Sequence, residues 1–308
     1  MQTIEVHQYR SLASGPRLLV LGAVHGNETC GVAAIREVAA QFLDGRRRLS
    51  RGVLTLVPVA NPVAFERGTR EGDRNLNRDF RPSVSPETAE DRIANHLAPL
   101  LAEHDALLDL HSFASAGEPF VFFGPPDNDG ELEPFRRAVE EEALSRAIGL
   151  RRRVFGWLPA YSRGVARRPG ASIAYGVGTT EYMRSRGGYA VTVECGQHAD
   201  PAAPVVARTA IDNVIGLLRL EADRPALEAA PVEDELIEMC DVFDRHSPAD
   251  RFVTAWRSFD RVMAGQPIAM RATGDPVVAP EDGYVVFPNP NTVPGREWFY
   301  FARPGQRR

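Results

Sequence analysis

The most constraining feature of this sequence is an alternation of short apolar runs with longer amphipathic stretches. The apolar runs have the length and composition of buried strands, and they lie at 17–24, 52–59, 105–112, 119–124 and 189–196. The amphipathic stretches predict helices at 32–43, 86–104 and 205–221. Strands that alternate with helices of this length predict an α/β fold with a mixed, largely parallel central sheet flanked by helices.

The pattern of predicted elements changes after residue 234, from strands alternating with helices to short strands separated by turns. The segment EADRPALEAAPVED (221–234) is rich in Pro, Ala and charge without periodicity, so we interpret it as a linker. The segments that follow, LIEMCDVF, VVAPEDGYVVFP and EWFYFARP, are typical of short strands separated by Pro, Gly and Asp turns. We therefore predict a catalytic domain at 1–228 and a small all-β domain at 229–308.

Composition excludes several functional classes. The net charge of −5 argues against a nucleic-acid-binding surface. The sequence contains no run of about 18 apolar residues, so it predicts no membrane-spanning helix. The N-terminal segment MQTIEVHQYRSL lacks the apolar core of a signal peptide, and three scattered cysteines suit a reducing compartment. We expect a cytoplasmic protein whose partner is a small molecule, and the oligomeric state stays open, a homo-oligomer included.

Three of the predicted strands end in residues that can bind a metal or carry a proton. His25 and Glu28 follow the first strand, His111 ends the third, and Glu194 ends the last. Alone, an HxxE pattern arises by chance and His111 suits a buried histidine, but a buried lone carboxylate such as Glu194 needs a partner or a function. Ligands collect at the carboxyl ends of parallel strands, and two histidines with one glutamate form a catalytic zinc set.

The loop NPVAFERGTREGDRNLNRDF (61–80) carries four arginines and three asparagines. Guanidinium groups are suited to binding carboxylates and to stabilising an oxyanion. On charge alone, a solvated surface loop is the favoured interpretation, because four acidic residues balance the arginines. The loop indicates a binding function only in combination with the metal-binding and acidic residues at the strand ends.

Taken in order, the motifs GxxHGNE, NPxAF…TR…LNRxF, DLHS and VECG resemble those of the succinylglutamate desuccinylase/aspartoacylase family of zinc amidohydrolases, over residues 15 to 305. The resemblance implies a zinc-carboxypeptidase-like catalytic domain, one Zn²⁺ per chain and a C-terminal β domain that caps the active site. The zinc ligands that it implies are His25, Glu28 and His111. It assigns the general base to Glu194, the polarisation of the scissile carbonyl to Arg70, and the binding of the substrate carboxylate to Asn77 and Arg78.

The sequence departs from the family pattern in two places. Asn75 stands where the family has an aspartate behind a zinc-bound histidine, so either Asn75 or Asp73 is expected to support that ligand. The family also has a substrate-contacting tyrosine in its capping domain, for which Tyr284 and Tyr300 are both candidates.

The motifs and the resemblance together predict zinc-dependent hydrolysis of an amide bond in an N-acyl amino acid or a related small carboxylate. A zinc carboxypeptidase acting on short peptides is the main alternative, since it needs the same residues. A non-catalytic carboxylate-binding protein is a third hypothesis, which the intact set of His25, Glu28, His111 and Glu194 disfavours.

Specificity is harder to assign from sequence. His198 is a candidate for the pocket lining, whereas Cys195 is more typical of a small buried apolar residue. The segment 156–188, rich in Gly, Arg and Tyr, predicts an insertion or hairpin near the opening of the site. It would supply a specificity arginine, for which we name Arg163, Arg167 and Arg168.

Overall fold

The computed structural model describes residues 3–222 and 234–306. The helices are α1 (Cys30–Leu43), α2 (Pro62–Arg67), α3 (Ala89–Glu103), α4 (Ala138–Ala147), α5 (Trp157–Val165), α6 (Thr179–Ser185) and α7 (Ala203–Leu217), with a 3₁₀ turn at Ile173–Gly176. The first seven strands are β1 (His7–Arg10), β2 (Arg17–Gly22), β3 (Val53–Val57), β4 (Ala106–Phe113), β5 (Phe120–Phe122), β6 (Arg152–Phe155) and β7 (Tyr189–Gln197). The others are β8 (Glu235–Asp244), β9 (Arg251–Phe252), β10 (Asp260–Val262), β11 (Pro267–Met270), β12 (Pro276–Val278), β13 (Gly283–Val286) and β14 (Glu297–Pro304).

A single large sheet organises the described residues, in the strand order β1-β3-β2-β4-β7-β5-β6-β8-β14-β13-β10. Strands β3, β2, β4 and β7 at its centre are parallel, whereas β5 runs antiparallel to β7. These central strands are almost wholly buried, as expected when helices cover both faces. The predicted α/β fold with a mixed, largely parallel sheet is confirmed.

Helices pack on both faces of this sheet. One face is covered by α1, α4 and α7, whose apolar residues join Leu108 and Val191 in one core. The other face is covered by α3 and α6, whose residues join Leu107 and Ala190 in a second core. The longest helices have 15 residues, and within the described ranges no helix combines the length and apolarity that a bilayer crossing requires. The expected cytoplasmic location stays a prediction.

Strand alternation brings His111 and Glu194 onto the same face. Even-numbered residues of β4, such as Leu108, point to the α1 side, so His111 points to the α3 and α6 side. In β7 the odd-numbered residues point to the α1 side, so Glu194 points the opposite way, directly beside His111 in the ladder. Because β2, β4 and β7 are parallel, the turn that follows β2 lies at this same edge.

The C-terminal strands extend the central sheet. Strand β8 pairs parallel to β6, with Arg152 opposite Glu235, and β14, β13 and β10 follow in antiparallel order. Strands β12, β11 and β9 form a separate three-stranded sheet, and an apolar core lies between the two. Most of the predicted linker, residues 223–233, lies outside the described residues, and the division into domains at 228 and 229 stays a prediction.

The hairpin predicted within 156–188 is wrong, because the segment folds as α5, the 3₁₀ turn and α6. In α5, Leu158, Tyr161 and Val165 are buried at helical spacing, which a reading based on the Gly and Arg content overlooked. Among the described residues of this segment, the apolar period of a helix therefore outweighs the turn-forming composition.

Candidate active site

The turn after β2 positions His25 and Glu28. The backbone of α2 packs directly against Gly26, where an added Cβ atom would lie 2.0 Å from the carbonyl carbon of Ala64. The amide of Glu28 donates a hydrogen bond to the carbonyl of His25 at 3.1 Å, which closes the turn before α1 begins. The glycine therefore allows a close backbone approach, and the side chains of His25 and Glu28 are buried at the edge of the sheet.

The side chains of His25, Glu28 and His111 converge on one point, and we call them the His-Glu-His cluster. The Nδ1 atom of His25 lies 2.9 Å from Glu28 Oε1, and the Nδ1 atom of His111 lies 2.9 Å from Glu28 Oε2. The two Nδ1 atoms are 3.2 Å apart. In a tetrahedral zinc site, bonds of about 2.0–2.1 Å hold neighbouring ligand atoms about 3.3 Å apart. The cluster thus has the donor set and the spacing for such an ion.

The outward nitrogen atoms of both histidines face oxygen acceptors. His25 Nε2 donates to Asn75 Oδ1 at 3.1 Å, and His111 Nε2 lies 3.1 Å from Asp109 Oδ2. An acceptor beside each Nε2 atom is the arrangement that would hold the ring proton there and free Nδ1 to bind an ion. Asp73 instead accepts a hydrogen bond from the amide of Ala89, so Asn75 supports His25.

The pKa values of the two histidines are shifted in opposite directions. Burial first, and then the Arg70 guanidinium, lower the pKa of His25 to about 4, so this ring is neutral near pH 7. Burial acts against a charge on His111, but Asp109 and Glu28 outweigh it and raise the pKa of that ring well above its usual value. A neutral His25 ring, 2.9 Å from a carboxylate oxygen, has the protonation state that metal binding requires.

Glu194 is buried beside His111 and has an unused oxygen. Its side chain is 8% exposed, and no described residue donates a hydrogen bond to its Oε2 atom. Burial is the main reason that the pKa of Glu194 rises to about 8, although His111 opposes the shift. A buried carboxyl group with a free oxygen and a pKa near neutrality is characteristic of an acid–base residue.

The loop at 61–80 brings three more predicted residues to the site. Arg70 Nη1 donates to Glu28 Oε1 at 2.9 Å, while almost half of the Arg70 side chain stays exposed. Asn77 Oδ1 accepts from the amide of Thr179, the first residue of α6, at 3.0 Å. The guanidinium of Arg78 lies 4.9 Å from the ring centre of Trp157, and no carboxylate in the described ranges is within 4.0 Å of its nitrogens.

One cavity of about 740 Å³ joins these residues. It is lined by all seven predicted site residues, His25, Glu28, Arg70, Asn77, Arg78, His111 and Glu194. Their catalytic, substrate-binding and metal-binding roles stay predictions, but their placement around a single cavity is what those roles require. A cavity of this size suits a small-molecule ligand.

Some of the other residues predicted for the pocket line this cavity, and others do not. His198 lines it, and its Nδ1 atom lies 2.9 Å from Ser112 Oγ. Tyr300 lines it too, whereas Tyr284 donates to Glu235 and lies elsewhere. The three arginines named for specificity contact β8 instead and are absent from the lining: Arg163 binds the Cys240 carbonyl, Arg167 pairs with Asp241, and Arg168 pairs with Asp244.

Sequence reasoning missed two features of the site. Asp109 precedes His111 by two residues on one strand, so its side chain shares the same face, and the DxH spacing is a signal that could have identified it. The second feature is the Arg184 cluster, in which Arg184 pairs with Glu133, Glu141 and Glu181, all buried. Three of its members line the cavity, but they are distant in sequence and form no motif.

Residues 14–133 match the family model described as the succinylglutamate desuccinylase/aspartoacylase catalytic domain. A probable aspartoacylase of Prochlorococcus marinus subsp. pastoris is 30% identical over 114 residues, which are 35% of this chain and 37% of that protein. An N-acyl-aromatic-L-amino acid amidohydrolase (carboxylate-forming) of Xenopus tropicalis is 30% identical over 119 residues, which are 35% of this chain and 38% of that protein. The chain thus spans well under half the length of these relatives.

The likeness in fold extends much further than the likeness in sequence. The crystal structure of a succinylglutamate desuccinylase/aspartoacylase from Rhodobacter sphaeroides is similar with a TM-score of 0.74 and 18% sequence identity. The superposition covers 98% of this chain and 89% of that chain. The N-terminal part of the chain is therefore similar to the succinylglutamate desuccinylase/aspartoacylase catalytic domain, and the whole chain is similar in fold to the Rhodobacter sphaeroides structure.

Proposed function

We propose that this chain is a zinc-dependent amidohydrolase that cleaves the amide bond of an N-acyl amino acid. The observation that carries the proposal is the His-Glu-His cluster, whose ligand atoms converge next to Glu194, a buried carboxyl group with a free oxygen. The two relatives described above support it, because one is named a probable aspartoacylase and the other an N-acyl amino acid amidohydrolase.

The ion would be held by His25, His111 and Glu28, one per chain. Two histidines and one glutamate leave a coordination position open, which is the arrangement of catalytic rather than structural zinc sites. When bound, zinc supplies Lewis acidity toward a carbonyl oxygen and toward water. Asn75 and Asp109 orient the two rings so that their Nδ1 atoms face inward.

Glu194 serves as the general base and then as the general acid. Its carboxylate accepts a proton from the attacking water and passes that proton to the departing amine nitrogen. The burial that raises its pKa to about 8 makes the protonated form accessible near neutrality, which is what delivery of a proton requires. Both transfers use a carboxylate oxygen that is without a partner in the described structure.

The arginines bind the negative charge of the substrate and of the reaction. Arg78 is buried, and the carbonyl of Asn77 is the one hydrogen-bond acceptor of its guanidinium among the described residues, so its other donors can bind a substrate carboxylate. Asn77 has its Oδ1 atom engaged with α6, which leaves its NH₂ group as a donor to the same carboxylate. Arg70 is half-exposed and can donate to the oxygen that becomes negative as water attacks.

A carboxypeptidase that acts on peptides is the second candidate. It would use the same residues, so the difference lies in access to the cavity. The C-terminal region contributes Phe287, Arg296 and Tyr300 to the cavity lining, which narrows the space for a long peptide. This arrangement favours a small N-acyl amino acid over a peptide.

The test is a panel assay of the zinc-loaded protein. N-acetyl, N-succinyl and N-formyl amino acids are compared with dipeptides and tripeptides of matched C-terminal residue, and the release of free amine is measured. We expect turnover of at least one N-acyl amino acid class. Release from peptides alone would establish the carboxypeptidase, and ligand binding without any turnover would establish a non-catalytic binding protein.

A further inference from the structure

Aromatic side chains form one continuous side of the cavity, and we call them the aromatic wall. Its members are Phe113, Phe122, Trp157, Phe287 and Tyr300, all of which line the cavity. Neighbouring ring centres are 5.5 to 6.3 Å apart. The pairs are Trp157–Tyr300, Trp157–Phe122, Phe287–Phe113 and Phe287–Tyr300. Rings at these distances pack edge to face or tilted and present a shared apolar surface.

The exposure of the wall shows which rings a ligand can reach. Phe122, Trp157 and Phe287 are partly exposed members of an otherwise buried apolar cluster. Behind them, Phe120 and Phe259 belong to the same cluster, are buried, and do not line the cavity. The exposed faces of the wall therefore meet the cavity rather than the protein interior.

An unusual backbone conformation positions Phe287 in the wall. Along β13, Val285 packs into one core and Val286 into the opposite one, as strand alternation requires. Phe287 has a φ of +51°, which is uncommon for a large side chain, and it packs on the same side as Val286. The break in alternation aims the ring at the cavity, and the Phe287 amide is held by Ser258 Oγ at 3.0 Å. Such conformations concentrate at functional sites.

The wall begins at the carboxylate-binding residue. The ring of Trp157 lies directly against the Arg78 guanidinium, at 4.9 Å, and continues through Phe122 to Phe287. A carboxylate bound at Arg78 would therefore place the carbon that it is attached to beside the wall. The substituent of that carbon is the side chain of the amino acid.

We propose that the aromatic wall binds a bulky apolar side chain of the N-acyl amino acid, with Phe287 as a specificity-determining residue. The inference rests on the proposed function, since it specifies the substrate class of that same site. An aromatic or large aliphatic side chain would lose its hydration against the wall and gain contact with the rings that form it.

The experiment compares N-acetyl derivatives of L-phenylalanine, L-alanine, L-aspartate and L-lysine, with N-benzoylglycine as the acyl-group control. We expect kcat/KM for N-acetyl-L-phenylalanine to exceed that for N-acetyl-L-alanine by about tenfold or more, since a buried apolar group of this size discriminates at least that strongly. A preference for the aspartate or lysine derivative would overturn the proposal, and a preference for N-benzoylglycine would show that the wall binds the acyl group instead.

A matched pair of variants separates specificity from stability. Phe287 and Phe259 both have a positive φ and belong to one aromatic cluster, but only Phe287 of this pair lines the cavity. We expect Phe287→Ala to remove about tenfold of the preference for the phenylalanine derivative and Phe259→Ala to leave that ratio unchanged while lowering Tm. Phe287→Leu, a milder change, should retain most of the preference. Equal ratios in wild type and both Phe287 variants would overturn the proposal.

A binding measurement keeps this test apart from that of the proposed function. Calorimetry of the zinc-loaded protein gives Kd for free L-phenylalanine and L-alanine, which are products of the reaction and need no turnover to bind. Tighter binding of L-phenylalanine that Phe287→Ala abolishes supports the wall, even where no substrate is hydrolysed and the proposed function fails. Hydrolysis of N-acyl amino acids with no such binding difference contradicts the wall alone.

Discussion

Two buried clusters of charged side chains contribute to one cavity, and their charges are compensated differently. In the Arg184 cluster, the guanidinium donates to Glu141 and Glu133, and Glu141 also accepts from the amide of Ala190 at 2.7 Å. In the His-Glu-His cluster, the Glu28 carboxylate accepts from Arg70 and from the amide of Ser112, and the Nδ1 atoms of both histidines converge on the same two oxygens. The first cluster is arranged around a guanidinium, whereas in the second three side chains that can bind a metal converge on one point.

This difference shows why burial of charge alone does not identify a metal site. Both clusters are almost fully buried, and both contain carboxylates. What separates them is the kind of group at the centre, because a guanidinium offers only donors, whereas two imidazole rings and a carboxylate can each present a lone pair to one ion. The predictions below test that distinction, from the largest expected effect to the smallest.

The largest effect is expected for Glu194→Gln. The amide cannot accept and return a proton, so we expect kcat to fall by about 10³-fold or more, in line with the loss of a general base. Steady-state kinetics on the best N-acyl substrate measures the fall, and zinc content measured in parallel should match that of wild type. Turnover within tenfold of wild type would remove Glu194 from the mechanism.

Removal of Arg184 should affect stability rather than metal binding. Arg184→Met leaves Glu133, Glu141 and Glu181 without their common cation, and breaking a buried ion pair in this way costs about 3–5 kcal/mol of unfolding free energy. Urea unfolding monitored by circular dichroism measures the loss. The folded fraction should still bind one zinc per chain, and a variant as stable as wild type would show that the cluster is not compensated as described.

The titration of the buried Glu133 carboxyl group should make the stability of the protein depend on pH. Burial is the main cause that raises its pKa to about 7 in the folded protein, with Arg184 opposing the shift, against a value near 4.5 when unfolded. A carboxyl group with a raised folded pKa contributes stability that is present below pH 4.5 and lost as the pH rises through about 7.

Glu133→Gln should therefore be more stable than wild type at pH 8, by about 3 kcal/mol at most, and should match it near pH 4.5. Urea midpoints across this pH range provide the measurement. A difference between the two proteins that is constant with pH would mean that Glu133 does not titrate in this range.

The smallest effect concerns the support of His25. Asn75→Asp would place a carboxylate behind the ring, raise the basicity of the ligand and tighten zinc binding by about tenfold, given that such partners change affinity by 10–100-fold. Competition with a zinc chelator measures the affinity without any assay of activity. Asp73→Asn is the matched control, since Asp73 contacts Ala89 instead and should leave the affinity unchanged.

The sequence predicted the parts of this site that lie in local motifs. His25 and Glu28 share one turn, and His111 and Glu194 end strands whose apolar pattern is clear, so parallel pairing brings them together. The choice between Asn75 and Asp73 needed the structure, because both lie within reach along the loop and only the fold decides which faces the ring.

Features assembled from distant segments could not be read from the sequence. The specificity arginines were wrongly sought in α5 and the turn after it, where Arg168 in fact pairs with Asp244 of β8. The Arg184 cluster joins α4, α6 and the loop at Glu133, and Phe287 reaches the cavity only through a positive φ. Such contacts depend on tertiary packing, which no spacing of residue types encodes.

The most direct test of the central claim is the zinc content of wild type and two variants. It is measured on protein that was purified without refolding, after zinc loading and removal of excess metal. Elemental analysis should find one zinc per chain in wild type and in Arg184→Met, and close to none in His111→Ala. That result would show that the converging lone pairs, and not the buried charge, form the metal site. Equal zinc content in wild type and His111→Ala would contradict the account.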